Sequence, residues 1–160
     1  MDEIIIRKVE QGDVKSIWEN IFSRNTPDEV ELRIAESIKD MDAGRRIHLV
    51  AVIEGNVIGN IIMLKEQHAL YSHRCNIADM VVNPTFQDQG IATKLFNEAC
   101  KYSSELGFDY VTTTCRSNGV ENFYKSLGMQ ECGRIPNGIY EPWGEHHKYD
   151  EVILIKQLKW

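Results

Sequence analysis

The sequence of 160 residues lacks several features that would place it in a specialised class of protein. It has no run of about 18 apolar residues, so we expect no segment to span a membrane. The amino-terminal segment Met1–Arg7 begins with acidic residues, and its apolar stretch is too short for a secretory signal. The net charge of −6 argues against a broad nucleic-acid-binding face. We therefore expect a soluble, cytoplasmic protein that binds neither a membrane nor nucleic acid.

Motifs for disulfides, metals and common nucleotide sites are missing as well. Neither G-x-x-x-x-G-K-[ST] nor G-x-G-x-x-G occurs, which excludes a P-loop and disfavours a Rossmann dinucleotide site. His146 and His147 lack the i, i+4 spacing of a metalloprotease helix, and the sequence shows no partner ligands, so we expect no metal. No C-x-x-C spacing is present, and without a secretory signal we expect reduced thiols at Cys75, Cys100, Cys115 and Cys132.

The residues that are present fit one globular domain over residues 1–160. Apolar residues make up 42% and charged residues 26% of the chain, which is ordinary for such a domain. Strand-like and helix-like patterns follow the order β-α-α-β-β-β-α-β-α-β-β, which predicts an α/β fold with a mixed sheet. The predicted strands are 4–9, 47–53, 57–64, 77–82, 110–115, 130–135 and 152–158. The predicted helices are 14–22, 27–43, 90–106 and 118–127, and a long loop is predicted over 136–150.

Helix boundaries are clearest at the second helix. Thr26 is expected to cap it, Pro27 suits its first position, and Glu29 would complete a capping box. Gly44 is the expected stop signal.

The most informative segment runs from Val81 to Thr93. It reads as a buried strand, a proline-bearing turn, a loop and the start of a helix. A helix N-terminus has several unpaired N–H groups and about half a positive charge, so a loop that converges there can hold a pyrophosphate. Gly90 and Ala92 would let phosphates approach the backbone closely. Gln87 and Gln89 would add neutral donors.

Two motifs then indicate a family. Gln87-x-x-Gly90-x-Ala92 after a strand resembles the acyl-CoA-binding signature [QR]-x-x-G-x-[GA] of the GNAT acetyltransferases. One helix and one strand later, the segment from Asn118 to Met129 resembles the family block A-x-x-F-Y-x-x-x-G-F. The two motifs cover about half of the chain, and the order of strands extends the match to nearly all of it. The resemblance implies a GNAT-like mixed, mostly antiparallel twisted sheet flanked by about four helices.

The resemblance also implies a co-substrate, acetyl-CoA, and the residues that hold it. The strand from Asp79 to Val82 would pair through its backbone with the pantetheine arm of coenzyme A. Amides from Gln89 to Thr93 would hold the pyrophosphate, and Asn118 would contact the pantetheine or support the site. The cofactor-binding residues expected on this basis are Val81, Val82, Gln87, Gln89, Gly90, Ile91, Ala92, Thr93 and Asn118.

The expected reaction is acetylation of a primary amine by direct attack in a ternary complex. Family members often use the tyrosine at the position of Tyr124 to protonate the departing thiolate. A simple amine has a pKa near 10 and needs a general base, for which Asp79 on the strand beside the thioester is the leading candidate. Each residue also has a structural interpretation: Tyr124 can pack in the core, and Asp79 can bond to the backbone. A water, Glu145 or His146 is the alternative base.

The acceptor is expected to lie against the aromatic and charged loop before the last strand. Carboxylates there can hold a cationic amine, and aromatic rings can stack on it, so Tyr140, Trp143 and Glu145 are the candidate substrate residues. We expect a small-molecule amine in preference to a protein, and a homodimer if the chain associates. A non-catalytic module that senses acyl-CoA is the alternative function. A vestigial site is disfavoured because such a site would not need the small residues at Gly90 and Ala92.

Overall fold

A computed structural model of the chain describes residues 3–158. Met1 and Asp2, the first residues of the amino-terminal segment considered above, lie outside the described residues, as do Lys159 and Trp160. Within the described range, the strands are β1 Ile4–Lys8, β2 Arg46–Ile53, β3 Asn56–Lys65, β4 Arg74–Val82, β5 Tyr110–Arg116, β6 Gln130–Tyr140 and β7 Lys148–Gln157. The α-helices are α1 Val14–Asn20, α2 Pro27–Asp42, α3 Ile91–Glu105 and α4 Val120–Ser126.

All seven described strands belong to one sheet in the order β1-β2-β3-β4-β5-β7-β6. Every neighbouring pair is antiparallel except β4 and β5, which are parallel. The crossover between these two strands contains α3, as a parallel connection requires. The expected mixed, mostly antiparallel sheet with four flanking helices is therefore confirmed.

The centre of the sheet is split. β4 and β5 pair over only three positions, from Arg74 opposite Tyr110 to Asn76 opposite Thr112. Beyond this point β4 continues to Val82 and β5 to Arg116 without pairing to each other. The register of β4 against β3 also shifts at this level, between Ile62 and Met63. Such a bulge bends a strand and increases its twist, so the two parallel strands open into a wedge.

Helices cover the sheet on both faces. On one face α3 packs over a core that contains Leu95, Phe96 and Ala99. The approach is close at Gly59 on β3, where an added Cβ would lie 3.0 Å from Leu95 Cδ1 and 3.3 Å from Ile91 Cγ2. On the other face α1 and α2 bury Ile17, Val30 and Ile34 against the sheet. None of the helices in the described part of the chain combines the length and the apolar character that a membrane crossing needs.

The capping of α2 follows the prediction in part. Thr26 Oγ1 accepts a hydrogen bond from the Glu29 amide at 3.2 Å, and Pro27 occupies the first turn. The Glu29 carboxylate, however, accepts from Asn25 Nδ2 at 2.9 Å. The expected capping box is thus wrong in its second half, because Asn25 supplies a side-chain donor to the Glu29 carboxylate.

The predicted loop over 136–150 is wrong in extent. β6 runs to Tyr140 and β7 starts at Lys148, so the two strands form a long hairpin whose tip is 141–147. The outer strand β6 has no residue that is fully buried. A strand that is solvated on both faces has no alternating apolar pattern, so its sequence resembles that of a loop.

Candidate active site

A cavity of about 500 Å³ lies beside the wedge between β4 and β5, on the side of α3 and α4. Its walls come from the end of β4, the turn that follows, the first turn of α3 and one side of α4. The lining residues are Met80, Val81, Val82, Phe86, Gln87, Asp88, Gly90, Ile91, Ala92, Thr93, Phe123 and Ser126.

The N-terminus of α3 presents unpaired amides to this cavity. Gly90 precedes the helix in the left-handed conformation, with φ of 78°. The first hydrogen bond of the helix runs from the Lys94 amide to the Gly90 carbonyl at 3.1 Å, which leaves the amides of 91–93 without an acceptor inside the helix. A Cβ built on Gly90 would meet no other atom within 4 Å, and residues 90–93 all line the cavity, so the start of the helix faces open space. An anionic group fits there.

Side-chain hydrogen bonds hold the turn that leads into α3. Asn83 Oδ1 accepts from the Thr85 amide at 3.0 Å, and Asn83 Nδ2 donates to the Asn20 carbonyl at 2.8 Å. Gln87 Nε2 donates to the Val82 carbonyl at 3.2 Å. The side-chain amide of Gln87, expected as a phosphate donor, thus bonds to the end of β4 and shapes the turn. Gln87 still lines the cavity.

Most of the expected cofactor residues come together here, with two exceptions. Gln89 is exposed and does not line the cavity. Asn118 is also absent from the lining, and its Oδ1 accepts from the Val120 amide at 3.2 Å. Sequence reasoning missed Met80, Phe86, Asp88, Phe123 and Ser126 as lining residues. Asp88, Phe123 and Ser126 lie inside the recognised motifs, and Met80 and Phe86 lie close to the first motif in the sequence.

Tyr124 lies in α4 and is half-buried against the core on the α3 face of the sheet. Burial raises the pKa of its phenol, and a side-chain hydrogen bond with Thr113 acts against this rise. The negative charge of Asp79 also raises the pKa of Tyr124. The phenol is therefore a proton donor at neutral pH.

Asp79 lies on the other face of the sheet. It is the cross-strand partner of Ile62, which in turn pairs with His48. The His48 ring is hydrogen-bonded to Ser37 of α2 at 2.8 Å, so this row of side chains faces α2. Burial raises the pKa of the Asp79 carboxyl above its ordinary value, and the positive charge of Arg33 opposes that rise.

Asp79 and Tyr124 thus approach the wedge from opposite faces. In an intact sheet the backbone would separate two such side chains. Because β4 and β5 diverge, the two groups act on each other electrostatically across the opening.

The expected substrate residues lie at the end of the hairpin and do not line the cavity. Tyr140 and Trp143 are 51% and 63% exposed, and Tyr140 Oη lies 2.9 Å from His146 Nδ1. Glu145 lies 2.9 Å from His147 Nε2. The tip is linked to the end of β5 through an ion pair of 3.0 Å between Arg116 and Glu141. Across residues 3–158, no group of three or more His, Cys, Asp or Glu side chains is arranged to hold a metal ion.

Comparisons with known proteins agree with this geometry. The sequence model of the acetyltransferase (GNAT) family matches residues 13–129. No curated protein matches the sequence.

Solved structures with the same fold are numerous. One is yncA from Salmonella typhimurium with its cofactor acetyl-CoA, at 18% identity and a TM-score of 0.80, with 98% of this chain and 94% of that chain covered. A second is phosphinothricin acetyltransferase from Sinorhizobium meliloti in complex with acetyl-CoA, at 17% identity and a TM-score of 0.79, with 98% of this chain and 89% of that chain covered. A third is ribosomal-protein-alanine N-acetyltransferase from Brucella melitensis, at 18% identity and a TM-score of 0.77, with 96% of this chain and 99% of that chain covered.

Proposed function

The chain belongs to the GNAT acetyltransferase family, and from that premise we propose that it transfers an acetyl group from acetyl-CoA to a primary amine. One observation carries the proposal. The open cavity at the unpaired amides of α3 is lined by the end of β4, the strand that also contains Asp79, and by Phe123, the neighbour of Tyr124 in α4. Coenzyme A, an anionic carrier, would therefore bind next to the proposed reacting centre at the wedge.

Acetyl-CoA would bind along this path. Amides of 91–93 would hold the pyrophosphate, supported by the helix dipole and by the absence of a side chain at Gly90. Val81 and Val82 lie in the part of β4 that does not pair with β5, so backbone groups on that side, apart from the Val82 carbonyl that accepts from Gln87 Nε2, would be available to the pantetheine amides. Gln89 and Asn118 would act from the rim, because neither lines the cavity.

The chemical step would be direct attack in a ternary complex. The amine nitrogen forms a bond to the thioester carbonyl carbon, the C–S bond breaks, and the thiolate of coenzyme A leaves. Asp79 takes one proton from the ammonium group of the acceptor before the attack, and Tyr124 protonates the thiolate. The second proton that the nitrogen loses as the amide forms returns to the Tyr124 phenolate. Backbone donors at the wedge would stabilise the oxyanion, and positioning of the two substrates would supply much of the rate.

A route through an acetylated cysteine is disfavoured. Cys115 is half-buried and acts electrostatically on Tyr124. Burial raises the pKa of this thiol, so at neutral pH it is protonated and a weak nucleophile.

The acceptor proposed is a small-molecule amine. One structural neighbour acetylates phosphinothricin and another acts on a ribosomal-protein alanine, so the shared fold is compatible with either class. The hairpin residues Tyr140, Trp143 and Glu145 would contact the acceptor only if the tip moves toward the wedge.

The test is thiol release from acetyl-CoA in the presence of a panel of amines. We expect turnover with at least one amine, and a fall in kcat of about 100-fold or more in Tyr124→Phe, the usual effect of removing a general acid. Tyr102→Phe is the matched control, since Tyr102 is a half-buried tyrosine of α3 that does not line the cavity. Acetyl-CoA binding without turnover of any amine would identify a sensing module instead. Full activity in Tyr124→Phe would refute the acid role.

A further inference from the structure

Arg33 of α2 is a half-buried arginine that forms no hydrogen bond or ion pair with the residues that the structure describes. Its guanidinium lies over the ring of Phe22, 5.0 Å from the ring centroid. Guanidinium groups have five N–H donors in a fixed plane, and when they are removed from water these donors usually have acceptors. The donors of Arg33 are thus available to a ligand.

The surroundings of Arg33 are firmly held. Trp18 Nε1 donates to the Asn25 carbonyl at 2.8 Å, which closes the connection between α1 and α2 around Phe22. Asn83 Nδ2 donates to the Asn20 carbonyl and links the end of α1 to the turn after β4. The ring that supports Arg33 is therefore tied to the same strand that contains Asp79.

Arg33 and Asp79 lie on the same side of the sheet, because Arg33 is one helical turn before Ser37 on α2, and Ser37 bonds to His48 in the cross-strand row that contains Asp79. Arg33 acts electrostatically on Asp79 and on His48, which lie in one cross-strand row that faces α2. Arg33 and Asp79 nevertheless do not form an ion pair with each other. A cation and an anion that lie on one side of the sheet without pairing can each bind one end of a molecule that has both charges.

Resting on the proposed function, we infer that the acceptor is an amino acid or a related amino carboxylate, whose carboxylate binds Arg33 while its ammonium group lies at Asp79. A planar guanidinium binds a carboxylate through two parallel hydrogen bonds, which orients the molecule as well as holding it. The ammonium end then points into the wedge, toward the thioester. In a chain with a net charge of −6, this local cation is what attracts an anionic group to the acceptor side.

Binding of the carboxylate would also promote the chemistry. Arg33 lowers the pKa of Asp79 while its own charge is uncompensated. An acceptor carboxylate on Arg33 would offset this lowering of the Asp79 pKa by Arg33. Arg33 is in this view a specificity-determining residue, and Asp79 is the group that receives the proton.

The experiment compares matched acceptors. Thiol release from acetyl-CoA is measured for L-amino acids, β-alanine and γ-aminobutyrate, each beside its carboxamide, which keeps the amine and removes the negative charge. We expect the wild-type protein to prefer at least one acid over its amide by about 10-fold or more in kcat/KM, the usual size of a charged hydrogen bond. Arg33→Gln should raise KM for that acid by a similar factor and leave the amide unchanged.

Two further variants separate binding from loss of structure. Arg33→Lys keeps the positive charge but lacks the planar pair of N–H donors, so it should retain part of the preference for the acid over its carboxamide. Arg24→Gln removes an exposed positive charge from the α1–α2 connection and should leave both members of each pair unchanged.

The two proposals fail in different ways. A wild-type preference for amides or polyamines, or an equal loss for acid and amide in Arg33→Gln, would overturn the amino carboxylate inference and leave the acetyltransferase intact. No thiol release with any amine would overturn the proposed function, and this inference with it.

Discussion

Replacement of Gly90 by aspartate tests whether the pyrophosphate of acetyl-CoA binds at the N-terminus of α3. Gly90 has φ of 78°, a Cβ on it would meet no atom within 4 Å, and it lines the same cavity as residues 91–93. An aspartate side chain would enter this space and place a negative charge where a pyrophosphate is expected. The backbone conformation alone costs about 1 kcal/mol of folding stability for a residue other than glycine.

The charge has a larger effect on binding. Two unit charges about 5 Å apart repel by about 3 kcal/mol at an effective dielectric constant of about 20. We therefore expect acetyl-CoA to bind to Gly90→Asp about 100-fold more weakly than to the wild-type protein. Isothermal titration calorimetry with acetyl-CoA measures this difference directly.

Gly107→Asp provides the matched control. Gly107 also has a left-handed φ, 93°, and open space around it, so the strain and the added charge are the same. It lies beyond the other end of α3, a helix of 15 residues and thus about 22 Å long. At this distance the charge is screened, and we expect an unchanged affinity. Equal affinities for Gly90→Asp and the wild type would refute this placement of the pyrophosphate.

Three further predictions concern the base, the buried histidine and the helix contact. Asp79→Asn should remove the acid limb of the pH profile of kcat/KM, a limb that lies above the ordinary aspartate range because burial raises the pKa of Asp79; an unchanged limb would point to another base. Burial lowers the pKa of His48 from 6.5 to about 4, so the unfolded chain binds the extra proton in this window. The free energy of unfolding should then fall by about 1.4 kcal/mol per pH unit between these values as the pH is lowered, and urea titrations of His48→Gln should lack this component. Gly59→Ala should lower the free energy of unfolding by about 1–3 kcal/mol, since its Cβ would press on Leu95 and Ala51; a neutral result would mean that α3 does not pack this closely.

Sequence patterns were reliable where one contiguous segment contains both partners of an interaction. The cap at Thr26 and the turn into α3 at Gly90 each depend on neighbours within a few residues, and the structure places both as expected. The family signature is of the same kind, because its glycine and its helix start are adjacent. The reciprocal bond of Glu29 was mispredicted for a related reason: Asn25 is also close in sequence and competes for the same carboxylate.

Patterns were unreliable where burial is decided by distant segments. The strand predicted over 130–135 is the first part of β6, but its continuation over 136–140 was mispredicted as loop, because this edge segment pairs with β7 although its side chains give no alternating signal. Phe123 is 39% exposed and lines the cavity, whereas its neighbour Tyr124 packs against the core. The sequence of a short helix contains apolar residues but does not indicate which of them are buried against the sheet.

The sequence by itself determined the fold family, the order of the strands and the turn that would hold a pyrophosphate, since these follow from local propensity and from motifs within single segments. Only the tertiary structure decided how the sheet divides between β4 and β5, and that Asp79 and Tyr124 reach the opening from opposite faces. It also brought Arg33 opposite Asp79, two residues that are 46 positions apart in the chain. Such contacts depend on how helices pack on a twisted sheet, and no local pattern encodes that packing.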